Sequence, residues 1–216
     1  MYKINDTWVL NPSLSVIEIL EKNQEYHEGM INLAISLCSK KRVFIDVGAC
    51  YGLITRQMAK VAERVLAFEP NFEILDCLRK NTLPFKNVEL FNLGLSNENK
   101  NKFLLLYEND GRSTYRKIYY LNALKHIKTL RNQSTKVITL DSLLLKDVDL
   151  IKIDVEGHEK HVLQGSLKTI ARCKPVIIVE QNKGVIETKY IPKALSLLGY
   201  TLHSSFREKD YIYVHR

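Results

Sequence analysis

Two segments of this chain set an acid beside a glycine at the end of a short apolar run. The first reads Val43-Phe44-Ile45-Asp46-Val47-Gly48-Ala49-Cys50-Tyr51-Gly52. The second reads Leu150-Ile151-Lys152-Ile153-Asp154-Val155-Glu156-Gly157-His158-Glu159. Runs of this kind are buried parallel strands that deliver an acid to the carboxyl edge of a sheet. After the first run, Gly48, Ala49 and Gly52 permit a tight turn and a close backbone approach to a ligand. A third run, Arg64-Val65-Leu66-Ala67-Phe68-Glu69-Pro70-Asn71, ends in Glu69 about 20 residues further on, where an acid accepts both hydroxyls of a ribose. The chemistry predicted is retention of a cofactor that carries a nucleoside.

The turn narrows the choice of cofactor. No GxxxxGK[ST] occurs, so a P-loop is excluded. The spacing is D-x-G-x-x-x-G with Asp46 ahead of the glycines, and GxGxxG is absent. A dinucleotide's pyrophosphate disfavours a carboxylate at that point. S-adenosylmethionine carries a sulfonium and an ammonium, which suit Asp46. Pro70 and Asn71 border Glu69, and Phe72 either covers the adenine or belongs to the core. Asn92, Gly94 and Leu95 fall where the adenine rim is expected.

Methyl transfer to a hydroxyl requires a base or a metal, with positioning supplying the rest. Asp154, at the end of its strand, is the first candidate base. His158 is the second, by its ordinary pKa near neutrality, or else it faces solvent at a helix start. Glu156 is a third catalytic candidate, or a cap for that helix. Asp154, Glu180 and Asn182 converge on one edge and form a candidate magnesium or manganese site. In the alternative, Glu180 pairs with a lysine or arginine.

The elements that position these groups alternate. Strands are expected at 43–47, 65–68, 88–92, 150–153 and 175–180. Helices are expected at 53–62, 71–81, 158–172 and 191–198. Segments 103–107 and 136–139 are expected to pair, and 200–203 with 211–214 to form a C-terminal hairpin. This is an α/β fold with a mostly parallel sheet and helices on both faces. With 216 residues, one domain is expected. Helices within 1–42 would lie over the cleft.

The net charge is +8, which speaks of partners rather than fold. A basic insertion at 109–135 contains Arg112, Tyr115 and Arg116, and no Asp or Glu occurs from Gly111 to Leu140. It reads as a solvated loop or as a lid meeting an anionic or sugar-bearing acceptor. The four cysteines form no CxxC pair, so zinc and a disulfide framework are not expected. No signal-peptide pattern or bilayer-length apolar run is present. A soluble protein in the cytoplasm of a bacterial or virus-infected cell is expected.

The motifs resemble those of the FkbM family of class I, Rossmann-like methyltransferases. They are the turn from Phe44 to Gly52, Phe68-Glu69-Pro70, Leu95-Ser96, Val137-Ile138-Thr139-Leu140-Asp141, and Lys152-Ile153-Asp154-Val155-Glu156-Gly157-His158-Glu159. The resemblance implies an S-adenosylmethionine-dependent O-methyltransferase acting on a sugar hydroxyl of a glycan or glycoconjugate. Two rivals stand beside it. The basic insertion favours a nucleic-acid methyltransferase, for which no [DNS]-P-P-[YFW] motif is found. The other rival is an inactive cofactor-binding interaction module.

Overall fold

A computed structural model of the chain describes residues 1–107, 113–114, 130–181 and 189–216. The chain opens on a hairpin that the sequence reading did not anticipate: β1 (Tyr2–Ile4) pairs antiparallel with β2 (Thr7–Val9). Helices α1 (Leu14–Glu21) and α2 (Glu28–Leu37) follow. Then come β3 (Val43–Val47), α3 (Leu53–Ala59), β4 (Arg64–Phe68), α4 (Phe72–Thr82) and β5 (Val88–Phe91). Asn71 caps α4, its side chain accepting the Glu73 amide, as an Asn at this position should.

β6 (Gly94–Leu95), β7 (Lys100–Tyr107), β8 (Ser113–Thr114) and β9 (Leu130–Ile138) form a separate four-stranded sheet in the order β6-β9-β7-β8. The strands that carry 103–107 and 136–139 do pair, but in another register than expected: 103–107 lies opposite 130–134, and Lys136 and Val137 lie opposite Asn101 and Lys100. β10 (Val148–Ile153), α5 (Glu159–Gln164), α6 (Leu167–Cys173), β11 (Val176–Glu180), α7 (Tyr190–Leu197), β12 (Tyr200–Phe206) and β13 (Asp210–His215) complete the described elements.

The central sheet runs β12-β13-β11-β10-β3-β4-β5. From β11 to β5 all pairs are parallel, and β13 joins antiparallel to both β11 and β12. Side chains alternate across the strands and build a core on each face. Ile45, Leu66, Ile151 and Ile177 pack with Val162, Ile170 and Leu195 of α5 to α7. Phe44, Val65, Leu150 and Ile178 pack with Ile31 of α2 and Met58 of α3. From β3 the chain proceeds outward through β4 and β5, whereas β10 leads the other way to β11. That reversal opens a crevice at the carboxyl ends of β3 and β10, the usual ligand position in such sheets. Among the described residues no helix is long and apolar enough to cross a membrane.

The helix expected over 158–172 is two helices. A Cβ on Gly165 would lie 1.9 Å from the Ser96 carbonyl oxygen, so the backbone there abuts the residue that follows β6. The second helix is capped from a distance. Asp141 accepts the Lys168 amide (3.1 Å) and the Thr169 amide (2.7 Å).

Candidate functional site

At the end of β3 the chain turns against β10. Gly48 has φ +81°, and a Cβ there would meet the Asp154 carbonyl oxygen at 1.9 Å; only glycine fits. The Gly48 and Ala49 amides both donate to the Phe68 carbonyl (3.0 and 3.1 Å). Cys50 takes a left-handed φ of 51°, which is uncommon for a residue with a side chain and is held by its surroundings. Gly52 also has φ +80°, but its near neighbour is α4, with Leu78 Cδ1 2.7 Å from a Cβ placed there. The close approach expected between Gly52 and a ligand is thus an approach to a helix.

The strained turn aims the Cys50 amide at Glu69. Glu69 Oε2 accepts that N–H (2.9 Å) and Oε1 accepts the Asn71 N–H (2.8 Å). Each oxygen retains a second lone-pair direction. Burial pushes the Glu69 pKa up to about 7, although its two backbone donors pull the other way. Glu69 borders a cavity with apolar walls from Phe68, Ile74, Leu95 and Leu104, and Pro70, Gly94, Asp154 and Glu156 also line it. Asn92 is not among the residues lining this cavity; its side-chain amide donates to the Glu69 carbonyl (2.9 Å) and the Pro70 carbonyl (3.3 Å).

A second cavity adjoins the first, and Gly48, Cys50 and Glu156 line both. Its other walls include Ala49, Lys152 and Lys209, with Ser13, Val16 and Tyr26 from the N-terminal segment. The Lys152 ammonium donates to the Gly48 carbonyl (2.9 Å) and lies 3.2 Å from Asp46 Oδ1 and 3.8 Å from Asp154 Oδ2. Burial alone would lower the Lys152 pKa; the charges of Asp46 and Asp154 outweigh it and hold the pKa above its ordinary value. Asp46 is fully buried, and its Oδ2 accepts the Thr55 hydroxyl (2.6 Å). It braces the turn from behind and lines neither cavity.

Carboxylate oxygens of Asp154, Glu159 and Glu180 lie within 4.8 Å of one another. Glu159 Oε1 accepts the Val155 amide (3.1 Å) and the Gly157 amide (3.0 Å). These bonds hold a loop in which Glu156 (φ 52°) and Gly157 (φ 94°) are both left-handed. Burial raises Glu159 to about 7. Glu180 rises to about 8 through burial and the charges of Asp154 and Glu156, while accepting a hydrogen bond from Lys209.

Residues 46–213 match the family model of the methyltransferase FkbM domain. The chain belongs to the FkbM methyltransferase family. Among solved structures it is similar to a methyltransferase FkbM from Methylobacillus flagellatus KT (TM-score 0.58, 16% identity), covering 93% of this chain and 53% of that one. The chain thus spans about half the length of that relative. It is also similar to an rRNA methylase from Streptococcus thermophilus (TM-score 0.53, 11% identity, 87% of this chain and 94% of that one). A third is a precorrin 8W decarboxylase from Methanobacterium thermoautotrophicum (TM-score 0.50, 18% identity, 87% and 90%). At these identities the likeness is one of fold. No curated protein matches the chain.

Within this FkbM domain the expected residues separate. Gly48, Glu69, Pro70, Gly94, Leu95, Asp154 and Glu156 border the first cavity, and Ala49 the second. His158 borders neither. It is buried, its Nε2 lies 3.0 Å from Ser96 Oγ, and its ring stacks on His161 at 4.3 Å. Neither the general base nor the solvent-facing residue describes it. Phe72 is 58% exposed and lines no part of the cavity. The cation site of Asp154, Glu180 and Asn182 is revised. Asn182 lies outside the described residues, Glu159 takes the third corner with one oxygen already holding two amides, and the cation meeting Glu180 is Lys209. In this arrangement Lys209 rather than a divalent ion neutralises Glu180. Arg112, Tyr115 and Arg116 also lie outside the described residues.

Lys152, Lys209 and Tyr26 are site residues that the sequence reading passed over. Lys152 carried a signal: a lysine inside an otherwise apolar buried strand needs an anionic partner, and Asp154 shares its face of the strand. Lys209 and Tyr26 reach the site from elements distant in sequence and carried none.

Proposed function

We propose that the protein is an S-adenosylmethionine-dependent O-methyltransferase whose acceptor is a sugar hydroxyl of a glycan or glycoconjugate. The observation carrying the cofactor is Glu69: a buried carboxylate whose two oxygens are each fixed by a backbone amide and face an apolar-walled cavity. That arrangement suits a ribose diol beside an adenine ring. The second cavity offers the Lys152 ammonium to a carboxylate, as an amino-acid end requires. When bound, S-adenosylmethionine supplies a methyl group made electrophilic by its sulfonium. Asp154 then accepts the proton that the acceptor hydroxyl loses, and Glu69 and Lys152 hold the two ends of the cofactor in register. The sugar acceptor is favoured by the family and by a carboxylate base suited to an alcohol.

The test is calorimetric titration with S-adenosylmethionine, then release of S-adenosylhomocysteine with mono- and oligosaccharides or with RNA, each with and without magnesium or manganese. Sugar-dependent release that ignores the metal supports the reading. Release with RNA alone would replace the acceptor, and an absence of cofactor binding would remove the proposal.

Glu69 also makes the affinity depend on pH. The ribose hydroxyls need the ionised carboxylate, so the bound form has the lower pKa and protons compete with the ligand below about 7. Affinity for S-adenosylhomocysteine is expected to fall about tenfold from pH 8 to pH 6. A flat titration between those values would show that Glu69 does not take the ribose.

A further inference from the structure

The four-stranded sheet contributes walls to the cleft. Through β6 and β7 it supplies Gly94, Leu95 and Leu104 to the first cavity, whereas the central sheet and the turn after it supply Phe68, Glu69 and Pro70. The nucleoside end of the cleft is therefore assembled from two sheets, and its width depends on what fixes one against the other.

One buried side chain spans that joint. Gln133 lies on β9 directly opposite Leu104 and is 8% exposed. Its Nε2 donates to the Pro70 carbonyl at 2.6 Å, and its Oε1 accepts the Phe72 amide at 3.3 Å. Both ends of one primary amide thus grip the segment directly after Glu69. The same segment contains the Asn71 amide that orients Glu69 Oε1. Nearby, Arg131 pairs with Glu73 (2.9 and 3.1 Å), a surface tie of small energetic weight. The inward-facing amide is the group that a non-polar replacement cannot imitate, because a buried carbonyl and amide would each lose a partner.

We infer that Gln133 is a positioning residue for the nucleoside: it registers the β6–β9 sheet against the Glu69-Pro70-Asn71 turn and so sets the geometry in which Glu69 meets a ribose. This rests on the nucleoside reading of the first cavity given above.

The test uses the full chain and two ligands, S-adenosylhomocysteine and 5′-methylthioadenosine, the second carrying the nucleoside without the amino-acid end. Gln133→Leu is expected to weaken both by the same factor, about tenfold, as loss of a buried hydrogen bond implies. Gln133→Glu is the second variant, informative even if the first fails to fold. Its carboxylate repels the Pro70 carbonyl, but once protonated it regains a donor of nearly the same shape. Its affinity relative to wild type is therefore expected to recover as pH falls from 8 to 5.5, which a merely destabilised variant would not do. The inference is overturned if Gln133→Leu binds both ligands within twofold of wild type, or weakens only S-adenosylhomocysteine. It is likewise overturned if Gln133→Glu shows no recovery at low pH. Failure of wild type to bind either ligand would instead remove the nucleoside reading, and the inference with it.

Discussion

Asp154→Asn is expected to lower turnover by about a thousandfold while changing S-adenosylhomocysteine affinity by less than tenfold. The asymmetry follows from how the residue is held. Its backbone is locked on both sides: the Asp154 amide donates to the Val47 carbonyl (3.1 Å), and its own carbonyl abuts Gly48. Asparagine keeps that backbone, the side-chain shape and contact with the cavity, but it cannot take a proton. The buried Lys152 loses a charge 3.8 Å away but keeps Asp46 at 3.2 Å and the Gly48 carbonyl at 2.9 Å, so the substitution does not leave it without a partner. General-base assistance contributes about 10²–10⁴ in rate, and the loss should appear in kcat. Single-turnover release of S-adenosylhomocysteine, alongside calorimetry, separates the two quantities. Retained turnover would move the base to Glu156, a carboxylate that lines both cavities. A collapse of cofactor affinity in a folded variant would make Asp154 a cofactor ligand.

Much of this site was legible because its signals are local. Continuous apolar runs identified β3, β4, β10 and β11, since a strand buried on both faces has no polar side to show. The glycine turn and Glu69 followed from spacing alone. What escaped depends on contacts between distant segments. The break at Gly165 is imposed by the Ser96 carbonyl and secured by Asp141, and no periodicity within 158–172 contains either. His158 sits two residues after Glu156, but two successive left-handed residues redirect the chain and carry the imidazole to Ser96. The hairpin β1–β2 turns at Asn5-Asp6, a pair without the glycine that marks the usual two-residue hairpin turns, so its local signal was weak. Glu180 shows the limit most plainly. Its strand was identified, yet its partner Lys209 enters from the C-terminal hairpin, and that partner separates an ion pair from a metal ligand.

Lys152→Met tests the centre of the arrangement and is expected to destabilise the fold by about 3–5 kcal/mol, a large part of the roughly 5–15 kcal/mol that holds a domain together. Methionine has nearly the length of lysine and fills the space, so packing changes little. What is lost is the ammonium on which the Gly48 carbonyl, Asp46 and Asp154 converge. Asp46 is the critical partner, because it is fully buried and, among the described residues, would keep only the Thr55 hydroxyl at its other oxygen. A carboxylate left in that state must protonate or draw water into the core, and either course costs stability. The double variant Lys152→Met with Asp46→Asn removes the stranded charge as well, so urea unfolding should show it more stable than the single variant. A double-mutant cycle then yields the coupling directly. If the single substitution costs under about 1 kcal/mol, or the second substitution restores nothing, the buried pair is not what fixes the turn. If stability returns in the double variant while S-adenosylhomocysteine affinity stays low, the lysine has two separable tasks: neutralising Asp46 within the fold and holding the cofactor's amino-acid end in the second cavity.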